Sequence, residues 1–136
     1  MKIKTAELID RPLDWAVAMA LGGTGLWYDT VGTWWFTLNG KDRALSSGWS
    51  EAQNFNPSTN WAQGGPIIER EKLCVGYRHQ LDPEYVPLLD PATVCWARTT
   101  AGGYLNCGPT PLIAAMRCFL TKALGDEVDV PAELWR

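Results

Sequence analysis

The 136-residue sequence predicts an α+β fold in a single domain, with an antiparallel sheet packed against two main helices over residues 11–21 and 111–124. Three observations lead there. Apolar stripes of helical spacing lie near both ends of the chain. Aromatic and β-branched runs broken by turn residues lie between them. The length suffices to bury a core without disulfide or metal staples.

The first helix is read from "DRPLDWAVAMAL" at 10–21, with Asp10 as its cap, Pro12 in its first turn and Gly22-Gly23 as its stop. Leu13, Ala16, Val17, Ala20 and Leu21 form its apolar stripe, which leaves Asp14 and Ala18 on the opposite side and makes Asp14 an exposed carboxylate. The last helix is clearest. Thr110 caps it, Pro111 holds the first helical position, and Leu112, Ala115, Met116, Phe119, Leu120 and Ala123 make the stripe that Gly125 ends.

Between them, strands are predicted at 26–31 and 33–38, the second running into a tight hairpin turn at Asn39-Gly40. Residues 44–59 read as a long loop. A helix of one to two turns over 66–72 leads into a strand near 73–78, and three prolines between 83 and 91 mark an irregular connection. A half-buried strand follows at 93–99, with a turn at 101–103 and a return strand from Tyr104. The tail, from 128, holds a short strand or coil and then a turn of helix.

Composition removes several functions. A net charge of -3 with scattered Lys and Arg argues against nucleic-acid binding. No apolar run approaches the roughly 18 residues of a membrane span, and the N-terminal stretch lacks a signal-peptide core. Cysteines 74, 95, 107 and 118 form no Cys-x-x-Cys pair and are expected as reduced thiols in the cytoplasm. With His79 as the lone histidine, neither a metal site nor a Cys/His catalyst is expected, no carboxylate pair reads as catalytic, and no cofactor is implied.

Eight tryptophans are more than such a core requires. Trp15 and Trp96 are expected as core fillers, whereas others could line a pocket or an oligomer surface. Two stretches could bind a ligand. In "NWAQGGPIIERE" (60–71), Trp61 can stack on a ring, Gln63 can read donors and acceptors, and Gly64-Gly65 lets a ligand approach the backbone, with Pro66, Glu69 and Arg70 beside them. A capped turn followed by a solvated charged face accounts for the same residues. In Gly108-Pro109-Thr110-Pro111, the start of a helix offers an anion site with Arg117 two turns further on, or simply an efficient helix start.

The blocks "LDWAVAMALGG" (13–23), "NWAQGGPIIERE" (60–71) and "GPTPLIAAMRCFLTKALGDEVDVPAEL" (108–134) together resemble the NinX-like family of lambdoid-phage proteins. The resemblance implies a small cytoplasmic protein from a phage accessory region and carries no biochemical activity with it. It singles out Asp14, Trp61, Gln63, Gly64, Gly65, Glu69, Arg70 and Thr110, which core packing does not explain, and tips the glycine stretch toward a pocket wall. If the blocks converge, they suit a phosphate-bearing, nucleotide-like ligand. The leading expectation is a self-associating protein that binds such a ligand without turning it over, as a sponge for a host immune signal. The alternatives are a small hydrolase acting on such a ligand and a module that inhibits a host protein.

Overall fold

The computed structural model describes residues 1–101 and 103–135. The predicted turn at 101–103 therefore lies partly outside the described residues. Strand β1 (Lys2–Lys4) leads to helix α1 (Asp10–Ala20), and strands β2 (Thr24–Tyr28), β3 (Trp34–Leu38) and β4 (Lys41–Ala44) form a meander. Helix α2 (Trp61–Glu71) is followed by a second meander of β5 (Leu73–Tyr77), β6 (Cys95–Thr99) and β7 (Leu105–Gly108). Helix α3 (Pro111–Leu124), strand β8 (Glu127–Asp129) and the short helix α4 (Ala132–Trp135) complete the chain.

The α+β class and both main helices are as the sequence predicts, but the strands divide into three antiparallel sheets. The smallest pairs β1 with β8, an element that three residues of "KIK" do not announce. Asn39 and Gly40 both take positive φ, 53° and 76°, and close the β3–β4 hairpin as predicted. The β2–β3 turn is organised by Asp29. Its Oδ1 accepts from the amides of Val31 and Thr33, and its Oδ2 accepts from Trp35 Nε1 at 2.7 Å. The Thr33 bond does most to hold this carboxyl below the usual range.

Helix α3 is the spine of the core. Thr110 Oγ1 accepts from Ile113 N at 3.1 Å, Pro111 opens the helix, and Leu112, Ile113, Met116, Phe119 and Leu120 are buried. Each such side chain contributes about 1.5–3 kcal/mol through removal from water. The core face of β5–β7 packs along α3, and α1 and α2 pack on its other sides.

Helix α1 departs from its predicted orientation. It is buried nearly all round, and Asp14 and Ala18 are both inside. A stripe argument assumes one wet face; here the 45–59 segment covers that face. Asp10 is the first helical residue rather than the cap, a position held by Ile9 without a side-chain bond. Of the loop predicted at 44–59, Ala44 ends β4, whereas 45–59 is irregular as expected, yet firmly tied. Asn54 exchanges bonds with the backbone of Trp49, and Ala44 and Phe55 bond across it.

Candidate functional site

Helix α2 begins at Trp61, five residues earlier than predicted, because Asn60 Oδ1 accepts from Ala62 N and caps it. Gly64 and Gly65 thus lie inside a helix, not in a loop. A Cβ on Gly64 would stand 2.5 Å from both Leu112 Cδ1 and Pro57 O, so this glycine lets α2 lie flush against α3. The pocket-wall function read from the sequence gives way here to helix packing. Gly65 meets nothing, but it precedes Pro66, whose ring crowds the Cβ of a preceding residue in helical conformation.

Gln63 has both ends of its amide engaged. Nε2 donates to Asn54 O at 2.7 Å and Oε1 accepts from Asn56 N at 2.8 Å. It staples the 54–56 backbone to α2, so its expected freedom to read a ligand is absent. Trp61 is half exposed at the helix start, and Pro66 and Glu69 are exposed. Arg70 lies over the Phe119 ring and beside Glu71, which also faces Lys122 of α3.

At the start of α3, Gly108 ends β7 where a Cβ would come within 2.8 Å of Ala114 N. Thr110 takes up the Ile113 N–H and Pro111 has none, so this helix end offers an anion less than its sequence suggests. Arg117 donates from Nε to Leu8 O at 2.8 Å and from Nη1 to Cys107 O at 2.9 Å, bonds that leave Nη2 unused by either.

Two adjoining clefts flank the outer end of β5–β7. The first, of about 830 Å³, is mostly apolar and is walled by Tyr77, His79, Leu81, Pro87 and Val94, with Arg78 at its edge. The second, of about 490 Å³, is bordered by Thr93, Val94, Asn106, Gly108, Pro109 and Arg117. Val94 belongs to both. Arg78 of the first also donates to the carbonyl of Asp90, which borders the second, at 2.9 Å.

The backbone of Tyr77 is tied on both sides. Its amide donates to Gln80 Oε1 at 2.8 Å, and its carbonyl accepts from Trp96 Nε1 at 2.7 Å. Gly76 permits this, since a Cβ there would stand 2.9 Å from the Trp96 ring. The Tyr77 and His79 rings run nearly parallel, 11° apart in plane with centroids at 6.3 Å. Burial pushes the Cys107 thiol up, and the positive charges of Arg117 and Arg78 only partly offset it.

A third cleft, of about 180 Å³, lies apart. It holds Asp14 and Ser58 between the first turn of α1 and the segments 45–47 and 56–59. Asp14 Oδ1 accepts from Ser58 N at 2.9 Å. Burial raises the carboxyl to about 7 against the opposing pull of the Ser58 amide and then of the Ser58 hydroxyl, with a smaller upward push from Asp10.

The predicted site residues therefore do not share one cavity. Gly108, Pro109 and Arg117 border the second cleft, and Asp14 the third. Gln63 and Gly64 are committed to packing. Nothing in the sequence distinguishes Tyr77, Arg78 and Val94 as site residues, although the prolines at 83, 87 and 91 mark the irregular segment beside them.

Residues 4–123 match the family model described as Bacteriophage P22, NinX. The chain belongs to the NinX family. All three clefts fall within the NinX match, as do the blocks 13–23 and 60–71. The match ends inside α3, so β8 and α4 lie beyond it. No curated protein matches the chain significantly. Among the described residues, no helix is long and apolar enough to cross a membrane, and no cluster of three His, Cys, Asp or Glu side chains could hold a metal ion.

Proposed function

We propose that this NinX-family chain is a phage accessory protein that binds a small phosphate-bearing, nucleotide-derived ligand and holds it without turnover. In this reading it acts in the host cytoplasm and sequesters a host immune signal. The observation that carries the reading is the joined pair of clefts. A flat apolar group suits the Tyr77–His79 side, and an anionic group suits the side of Arg117 and the start of α3.

Mass spectrometry of small molecules released from the purified, heat-denatured protein tests this. A phosphate-bearing ligand is expected from the wild type and from Trp61→Ala, unchanged in mass after incubation, and at least tenfold less from Tyr77→Ala. An empty wild-type protein, or a ligand lost on Trp61→Ala but kept on Tyr77→Ala, contradicts it.

One surface favours a second reading. Trp27, Tyr28 and Val31 are exposed around the β2–β3 turn, with β2 at a sheet edge. Such a patch suits self-association or contact with a host protein. Copurification of one host protein in fixed stoichiometry, with no small molecule, would favour an interaction module.

A further inference from the structure

We propose that strand β2 pairs antiparallel with β2 of a second copy of this chain, the two Trp27 side chains meeting at the two-fold axis. The inference is independent of the groove beside Tyr77. Of the two partners that suit the β2–β3 surface, it selects the second copy.

An open sheet edge offers unpaired N–H and C=O groups to any other strand, and the edges of this fold are defended unequally. On β7, Asn106 Oδ1 accepts from Cys107 N, and Arg117 Nη1 donates to Cys107 O. On β5, Gln80 Oε1 accepts from Tyr77 N, and Trp96 Nε1 donates to Tyr77 O. The β4 edge exposes Lys41 and Asp42, and Ala44 bonds outward to Gln53 and Phe55. Lys2, Lys4, Glu127 and Asp129 charge the β1–β8 ribbon. Strand β2, "TGLWY" at 24–28, has no charge, no proline and no such bond among the described residues.

The register of the meander shows which groups are open. Asp29 N donates to Thr33 O, so Trp27, opposite Trp35, also bonds toward β3. Leu26 and Tyr28 therefore turn their N–H and C=O groups to the open side. Setting Leu26 of each copy opposite Tyr28 of the other engages all of them. Trp27 then stands opposite itself in a non-hydrogen-bonded pair, where side chains approach most closely. A two-fold axis sets each group against its counterpart, which an uncharged strand tolerates. Asp29 falls opposite Gly25 of the other copy, so its carboxylate meets no like charge. The bulge at Gly25, with φ 74°, ends the pairable stretch.

Trp27 and Trp49 are 39 % and 40 % exposed on the Trp35 face of the sheet, and Tyr28 is 59 % exposed. These three rings offer about 300 Å² per copy, against about 800 Å² per partner in a standard interface. Strand backbone adds to the rings, and the dimer is a reversible one.

Sedimentation of the full chain from about 10 to about 500 µM tests this. The wild type should pass from one chain to two, and the Leu26 and Tyr28 amides should exchange at least about fivefold more slowly at the high end. Trp27→Lys and Trp27→Glu should each stay monomeric with the wild-type circular dichroism, and their equimolar mixture should form one-to-one dimers. A single chain at every concentration, exchange at Leu26 and Tyr28 that ignores concentration, or folded charge variants whose mixture stays monomeric each overturn the proposal. Should the variants fail to fold, the wild-type exchange decides without them.

Discussion

Gly64→Ala will destabilise the fold by about 2 kcal/mol, whereas Gly65→Ala will leave it within about 1 kcal/mol of the wild type. The two glycines are neighbours on one helix, so local propensity treats them alike; alanine in a helix interior gains about 1 kcal/mol over glycine. What separates them is tertiary contact. At Gly64 the added methyl meets Leu112 Cδ1, which can rotate away, and Pro57 O, which is backbone and cannot. Forcing a methyl into such a contact costs about 1–3 kcal/mol, and neighbouring strain adds to it. At Gly65 nothing lies within 4 Å, and the propensity gain is offset by the crowding of Pro66 against a preceding Cβ. Urea midpoints of the two variants measure the difference. Equal midpoints would contradict the packing role of Gly64 and reopen a ligand role for the pair.

The second large effect concerns Asp14 and pH. Its carboxyl keeps a proton to about pH 7 in the fold, against 3.8 for an ordinary aspartate. Between those values the folded state binds more protons than the unfolded state, so stability contributed by the neutral carboxyl is lost as pH rises from about 4 to 7 and stays lost above. The shift corresponds to a penalty on the order of 4 kcal/mol at pH 8. Asp14→Asn retains an acceptor for Ser58 N and cannot ionise. It should match the wild type near pH 4 and exceed it in stability by up to that amount at pH 8. Denaturant unfolding of both proteins from pH 4 to 8 measures the gap. Parallel profiles would mean that the folded carboxyl titrates normally.

Those two positions also show where sequence reasoning reaches and where it stops. Helix α3 was legible because every signal agrees: Thr110 as cap, Pro111 at the first position, an unbroken stripe and Gly125 as the stop. The β3–β4 hairpin was legible because Asn39-Gly40 supplies the two positive φ angles that the turn demands. Asp14 reads as exposed because a single polar residue opposite a stripe ordinarily faces water, and only the 45–59 segment folding over α1 reverses that. Gly64 reads as a loop residue for a related reason. Two glycines before a proline look like a loop, and the need for a bare Cα arises only from Leu112 and Pro57, far away in sequence.

The candidate groove was less legible still. Arg117, Gly108 and Pro109 carried a signal through the helix start they surround. Tyr77 and Val94 carried none, since a strand-end aromatic and an exposed valine are commonplace until β5, β6 and the Trp96–Tyr77 bond bring them to one wall.

Amide shift mapping with a panel of purine and pyrimidine nucleoside diphosphates tests the central claim most directly. At least one member should produce saturable shifts at Tyr77, Val94, Cys107 and Gly108 while Trp61 and Ala62 stay fixed. Saturable shifts centred on Trp61 and Ala62 with the β5–β7 groove unmoved, or no saturable shift from any member, would contradict the account.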